Sequence, residues 1–340
     1  MITLGCGNAG MKLATMFDDD PYLISTAKQD TINYQDYNIL SVSEDGAGKR
    51  FTIGTKLWEQ HYNELQEFLA DIENENVIIF SSFGGGSGSS SLQFISQILL
   101  EQNNGVLING IIPYKKEINP PLANAVQSIN SLMPLITDVS VMLFDNQTLI
   151  RKFEFDWEQI NEFIIRRVTY VTKLIDSFSI DKYSPITIDQ SELESVVFGG
   201  GFIDVTDTFL EENNPKFVYG KLDRYTKNVM LVMYVDEKVS NEQVDEYHRT
   251  LTEVQNKIAG RVRNARLIPG IMRGKIVSKT NDDEPGDRTY ILIASGLSID
   301  RYMKKIEKIR DQAIEKAEAY NEKNKGSKIV KGRDRRLLDI

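Results

Sequence analysis

The run Phe83-Gly84-Gly85-Gly86-Ser87-Gly88-Ser89-Ser90-Ser91, directly after the apolar stretch Val77-Ile78-Ile79-Phe80, constrains this chain more than any other feature. A buried strand stops, three glycines leave the backbone bare, and Ser89 to Gln102 then reads as a helix. Glycine accepts backbone angles that a side chain forbids, so successive amide N–H groups can converge on one concavity. The helix that follows adds its own unpaired N–H groups and the positive end of its dipole. Together these make an anion cradle, most often one for phosphate. A flexible serine-glycine linker has a similar composition. A linker, however, has no reason to sit between a buried strand and an amphipathic helix.

Upstream, the strand Ile2-Thr3-Leu4 runs into Gly5-Cys6-Gly7-Asn8-Ala9-Gly10, with a helix starting near Met11. The glycines satisfy G-x-G-x-x-G, a weak signal alone. A dinucleotide site also needs an acidic residue at the tip of the next strand. That strand, Tyr22-Leu23-Ile24, ends in Ser25-Thr26-Ala27-Lys28, and Asp18, Asp19 and Asp20 precede it as a turn. A third strand, Ile39 to Val42, leads to the loop Ser43 to Arg50. Its Gly48-Lys49 pair fails the P-loop pattern, with Ser43 for the first glycine and Arg50 for the final Ser/Thr. It reads equally as a surface loop or as two glycines and two cations beside the cradle. Residues 55–73 read as one helix, 105–112 as a strand, and Pro120-Pro121 opens a helix carrying Leu122 to Met133. Val139 to Phe144 is a strand ending in Asp145-Asn146-Gln147. Six strands alternating with helices, each polar loop at a strand's C-terminal end, describe a parallel α/β sheet that binds ligands along that edge.

A helix from Asp156 to Phe178 follows, with Asp156 as its N-cap. Residues 186–297 have another rhythm, with strands at 228–235, 265–272 and 289–293 and a helix at 241–258, read as a smaller α+β domain. Residues 298–323 form an amphipathic helix, roughly 39 Å long at ~1.5 Å per residue. Beyond Lys323 the chain is basic. The boundaries are 1–155, 156–180 for the central helix, 181–297, 298–323 and a tail at 324–340. At 340 residues and 41% hydrophobic composition the chain can bury a large core. Its net charge of −9 argues against binding nucleic acid over the whole surface. One cysteine, Cys6, leaves no internal disulfide, and two histidines are too few for a histidine-rich metal site. No apolar run spans a bilayer, so the expectation is a soluble cytoplasmic protein with no membrane partner.

The loop Gly84-Gly85-Gly86-Ser87-Gly88-Ser89, with a second glycine loop after the first strand, resembles the tubulin/FtsZ superfamily, whose members are GTPases that polymerise. Ser90 stands where many members have a final glycine. Cys6-Gly7-Asn8 resembles the first loop of eukaryotic β-tubulin, and Gly7 to Met11 that of phage tubulins, with Lys12 where their pattern has Asn. The resemblance covers most of the chain. It implies a tubulin/FtsZ-like parallel-sheet GTPase domain, a long central helix, a smaller α+β activation domain and a long C-terminal helix. It implies GTP/GDP bound by Gly7, Asn8, Gly10, Thr26, Lys28, Gly48, Gly84 to Gly88 and Ser89, with ribose contacted by Glu117. Guanine would be read by Asn146 and Asn161, whose amides offer both donor and acceptor. Without the resemblance these are as readily a turn asparagine and an exposed helix residue. Mg²⁺ would be held chiefly by phosphates and water.

Thr187-Ile188-Asp189-Gln190-Ser191-Glu192-Leu193 is similar to the family's N-x-D-x-x-[DE] loop, through which one subunit completes the next subunit's nucleotide site. This nominates Asp189 and Glu192 as catalytic across a head-to-tail homopolymer interface. Alone, the two acids would read as caps of a helix at 190–197. Within the superfamily, the D-x-S-E-[LF] loop, Ser140 to Asn146, Ile150 to Glu154, the C-terminal helix and the basic tail are similar to plasmid-partitioning TubZ proteins. That implies filaments that segregate plasmid or phage DNA, with the tail meeting a DNA-bound adaptor; a solvated tail is the plain alternative. FtsZ-like cell division is a second reading, although division proteins usually end in a linker and a short tethering peptide. A monomeric NAD oxidoreductase is a third, distinguished by binding NAD(H) and not GTP.

Overall fold

The computed structural model describes residues 1–114, 120–176, 190–206, 222–236, 240–260, 262, 264–274 and 288–325. Glu117, Asp189 and the tail from 326 lie outside the described residues. The first half alternates as its apolar pattern requires: β1 (Ile2–Cys6), α1 (Gly7–Phe17), β2 (Tyr22–Ala27), the short α2 (Lys28–Thr31), β3 (Asn38–Ser43), α3 (Phe51–Gln60), α4 (Tyr62–Phe68), β4 (Asn76–Ser82), α5 (Ser87–Glu101), β5 (Gly105–Ile112), α6 (Pro121–Leu132), β6 (Val139–Asp145) and α7 (Asn146–Lys152). Then come α8 (Trp157–Asp176), α9 (Gln190–Val197), β7 (Gly201–Thr206), β8 (Asn228–Asp236), α10 (Asn241–Ala259), β9 (Arg266–Gly274), β10 (Arg288–Ser295) and α11 (Asp300–Lys325).

Among the described residues these strands form one ten-stranded sheet in the order β3-β2-β1-β4-β5-β6-β7-β10-β8-β9. Neighbours are parallel except at β10, which runs antiparallel to β7 and β8. Helices cover both faces, which is why strands such as β4 are apolar without a break. Val77 and Ile79 join one core with Trp58, Leu92 and Ile95. Ile78 and Phe80 point the other way, to Met11, Phe163 and Val168. The alternation is the two-residue period of a strand.

Several boundaries differ from the sequence reading. The helix expected over 55–73 is two helices, because His61 leaves helical geometry (φ −109, ψ 24). The glycine loops are shorter than their composition implies: α1 begins at Gly7 and α5 at Ser87, so much of each motif is already helical. β2 continues through Ser25, Thr26 and Ala27, which are strand residues and not a loop. β7 has no counterpart in the sequence reading. Asp204 and Thr206 blur its pattern, yet both are buried, and Arg167 of α8 donates to the Val205 carbonyl at 2.6 Å. β7 pairs with β6 from Ser140↔Gly201 onward. The strands of the second half therefore extend the same sheet. Asp156 caps α8 as read, accepting from the amides of Glu158 and Gln159 at 3.0 and 3.1 Å. α11 packs on α6, with Ile299, Tyr302 and Ile306 buried at its start.

Close approach of α1 to β4 depends on Gly10, where a Cβ would stand 2.2 Å from the Phe80 carbonyl oxygen. Gly10→Ala should lower stability by about 1–3 kcal/mol, as overpacking does. Gly260→Ala, whose Cβ would meet nothing nearer than 3.9 Å, should stay within about 0.5 kcal/mol. Urea unfolding of the two variants checks this; equal midpoints would contradict the packing.

Candidate functional site

β1 and β4 are neighbours in register, Cys6 opposite Ser81. The loops that leave them meet backbone to backbone. A Cβ on Gly88 would lie 2.5 Å from the Cys6 carbonyl oxygen, and one on Gly7 would lie 2.9 Å from the Gly88 nitrogen. Gly7 also has φ +67, which favours glycine. Both α1 and α5 start here without a side-chain cap and without an acidic residue in the first turn. The serines do not supply the missing acceptors. Ser90 and Ser91 donate back to the carbonyls of Gly86 (2.6 Å) and Gly88 (3.0 Å), and Ser89 bonds the Gly85 carbonyl. Two helix N-termini thus open on one concavity with their amides uncapped, the arrangement that binds phosphate.

That concavity is a cavity of about 500 Å³, within the usual range for small-molecule sites. It is lined by Gly7, Asn8, Gly48, Gly84, Gly85, Gly86, Ser87 and Gly88 among the residues singled out by sequence. Ala9, Gln29, Asp30, Asp45, Ala47 and Lys49 also line it. Gln29 and Asp30 belong to no motif, and only proximity in the fold brings them in. Gly10, Thr26, Lys28 and Ser89 do not line the cavity. Thr26 builds it from behind: its hydroxyl bonds the Ser87 hydroxyl and accepts from the Ala47 amide at 3.1 Å. Lys28 forms an ion pair with Glu44. Lys12 is exposed on α1 outside the lining.

Asn146 opens α7 at the C-terminal tip of β6, two strands from β4, or about 10 Å across at ~4.8 Å per strand. Its Oδ1 is buried with no hydrogen-bond partner among the described residues. A buried acceptor left in this way is a fit for a base edge that donates. Asn161 is half-buried in the first turns of α8, which starts at the same edge. Glu192 lies elsewhere. It sits in the first turn of α9 and is ion-paired with Arg266, at the start of β9. β9 runs in the same direction as β1 and β4, so its start marks the sheet edge opposite the glycine loops. A strand of seven residues such as β4 separates the two edges by about 23 Å.

Residues 8–154 match the model of the Tubulin/FtsZ family, GTPase domain. This stretch, under half of the chain, is similar to the tubulin/FtsZ GTPase domain. The whole chain has that family's fold. A GTPγS-form protofilament of Bacillus thuringiensis serovar israelensis TubZ superposes with a TM-score of 0.71 at 15% identity, over 94% of each chain. CetZ2 from Haloferax volcanii, in a GTPγS-bound protofilament, gives 0.67 at 19% identity, over 94% of this chain and 100% of that one. FtsZ of M. jannaschii, as an empty dimer, gives 0.62 at 17% identity, over 88% of each chain. No curated protein sequence matches the chain significantly. That match implies GTP hydrolysis and the binding of GTP or GDP. No helix among the described residues is long and apolar enough to cross a membrane.

The Cys6 thiol lies behind the cradle, fully buried, and burial pushes its pKa up to about 12 against a hydrogen bond with Ser91. The unfolded thiol ionises near 9.0 and the folded one near 12. The folded state therefore holds the proton between those values, and stability should fall as pH rises through that window. The native thiol should resist alkylation at pH 9 and react fully in guanidinium. Cys6→Ala should flatten the alkaline slope of stability; a native thiol that alkylates at the unfolded rate would contradict its placement.

Proposed function

We propose that this chain is a cytoplasmic GTPase that assembles head to tail into filaments and hydrolyses GTP at each joint. The observation that carries this reading is the placement of two half-sites on opposite edges of one sheet. The cradle opens at the C-terminal edge, lined by Asn8, Lys49 and backbone amides. Its own acids, Asp30 and Asp45, sit there beside the glycines, but Glu192 of α9 lies at the opposite edge against Arg266. Glu192 cannot reach the cradle of its own subunit; stacked copies would bring it to the next subunit's. Asp189, one residue before α9, would enter that pocket with it and orient the attacking water.

Exposed aromatics support a joint at the cradle edge. Phe155 and Trp157 are 56% and 48% exposed, and Phe155 packs edge-on to Tyr114 just beyond β5. Large apolar side chains clustered at one surface favour a protein contact. Mg²⁺ would be held by phosphate oxygens and water, since no group of three or more His, Cys, Asp or Glu side chains among the described residues could hold it alone. The filament would position plasmid or phage DNA. Support for that role comes from sequence: the Asp189-to-Leu193 loop, the Ser140-to-Asn146 strand, the long α11 and a basic tail suited to a DNA-bound adaptor.

GTP turnover per molecule should rise with protein concentration as joints form. Asp189→Ala should cut turnover about a hundredfold while filaments persist and stop shrinking, and Glu192→Gln should act in the same direction. Turnover assays across nanomolar to micromolar protein, with electron microscopy of the same samples, check this. A flat rate per molecule, or full activity in Asp189→Ala, would overturn the shared site.

A further inference from the structure

Loop 44–50 forms one wall of the cavity, and one residue in it is strained. Lys49 has φ 61, a left-handed conformation that a side-chain-bearing residue adopts at a cost. It lines the cavity, and it is the only cationic side chain among the described lining residues, which include Asp30 and Asp45. Of the other cations of the region, Arg50 does not line the cavity and Lys28 is held by Glu44. A polyphosphate entering this cavity therefore meets two helix N-termini and one full positive charge.

What holds Lys49 in that conformation is visible. Asn124 of α6 is 3% exposed. Its Nδ2 donates to the Lys49 carbonyl at 2.9 Å and to the Gly84 carbonyl at 3.0 Å, with a longer approach to Gly85 at 3.4 Å. Its Oδ1 accepts from the Phe51 amide at 3.3 Å. One carboxamide thus ties the loop on both sides of Arg50 to the first glycine of the cradle. On the far side, Gly86 admits the loop: a Cβ there would meet Ala47 and the Arg50 nitrogen at 2.8 Å.

We propose that Lys49 is a phosphate-contacting residue that favours GTP over GDP, and that Asn124 is the positioning residue that holds it over the cradle. This rests on the guanine-nucleotide reading of the cavity. The lysine charge is worth most where the ligand carries most charge, at the terminal phosphate. The amide bonds keep the strained loop closed before the nucleotide arrives, so less ordering is left to binding.

Calorimetric titration of full-length protein with GTPγS and with GDP tests both roles. Lys49→Gln should weaken GTPγS about tenfold or more and GDP about threefold or less, with thermal stability unchanged because the residue is exposed. Asn124→Ala, or Asn124→Ser where the alanine variant folds poorly, should narrow the same preference and speed hydrogen exchange at Ala47, Arg50 and Phe51. In the Asn124 background Lys49→Gln should then have little further effect, since the lysine is already displaced. Additive losses would reduce Asn124 to a structural residue and overturn its role. Equal losses for GTPγS and GDP, or none, with wild-type protein binding both, would overturn the role of Lys49 alone. Wild-type protein that binds neither nucleotide would overturn the underlying reading as well.

Discussion

Gly88 lacks a side chain because the Cys6 carbonyl oxygen stands 2.5 Å from where its Cβ would be. That backbone contact between two loops is the constraint on which the site depends. It forces β1 and β4 to be adjacent and level at their tips, and it brings the N-termini of α1 and α5 to one point. Gly10 repeats the demand one turn later against Phe80. Wherever these glycines acquire side chains, the two helices must separate and the amides cease to converge. The serines reinforce this by bonding the loop's own carbonyls, which leaves the N–H groups facing outward.

The buried thiol, the hydroxyl pair of Thr26 and Ser87, and the Asn124 amide all serve the same geometry from behind. Thr26 and Asn124 do not line the cavity, while Cys6 and Ser87 belong to its wall. Each fixes a loop around the cavity, which is the support that a preorganised anion site requires. The chemistry at the front is therefore mostly backbone, and the side chains that decide it are second in line.

Much of this was legible in the residues. The Val77-to-Ser91 run announced a buried strand, a turn and a helix, and the structure has β4 and α5 there. The repeating pattern through Phe144 gave the parallel order, since apolar stretches bounded by polar loops leave few alternatives. The reading faltered where polar residues are buried. β7 is short, opens on Gly201 after Gly199-Gly200 and carries Asp204, so no strand pattern stands out. Thr26 and Lys28, nominated through the resemblance, do not line the cavity; Thr26 accepts from the Ala47 amide and Lys28 pairs with Glu44. Asp30 and Asp45 reach the cavity only because α2 and loop 44–50 fold over it, a long-range effect that local pattern does not encode. Asn124 had no signature at all, being one of two buried polar residues, with Ser128, on a mostly apolar helix face.

The sheet also has a direction that helices on its two faces do not cancel. One rim carries glycines and open amides, and the other carries the Glu192–Arg266 pair at the start of β9. Any pile of such molecules laid rim against rim must terminate in two chemically unlike caps, one offering an unclosed bowl and the other a charged knob. Addition and loss at those two termini would then obey different rates, so the asymmetry of a single sheet is enough to give a growing thread a front and a back.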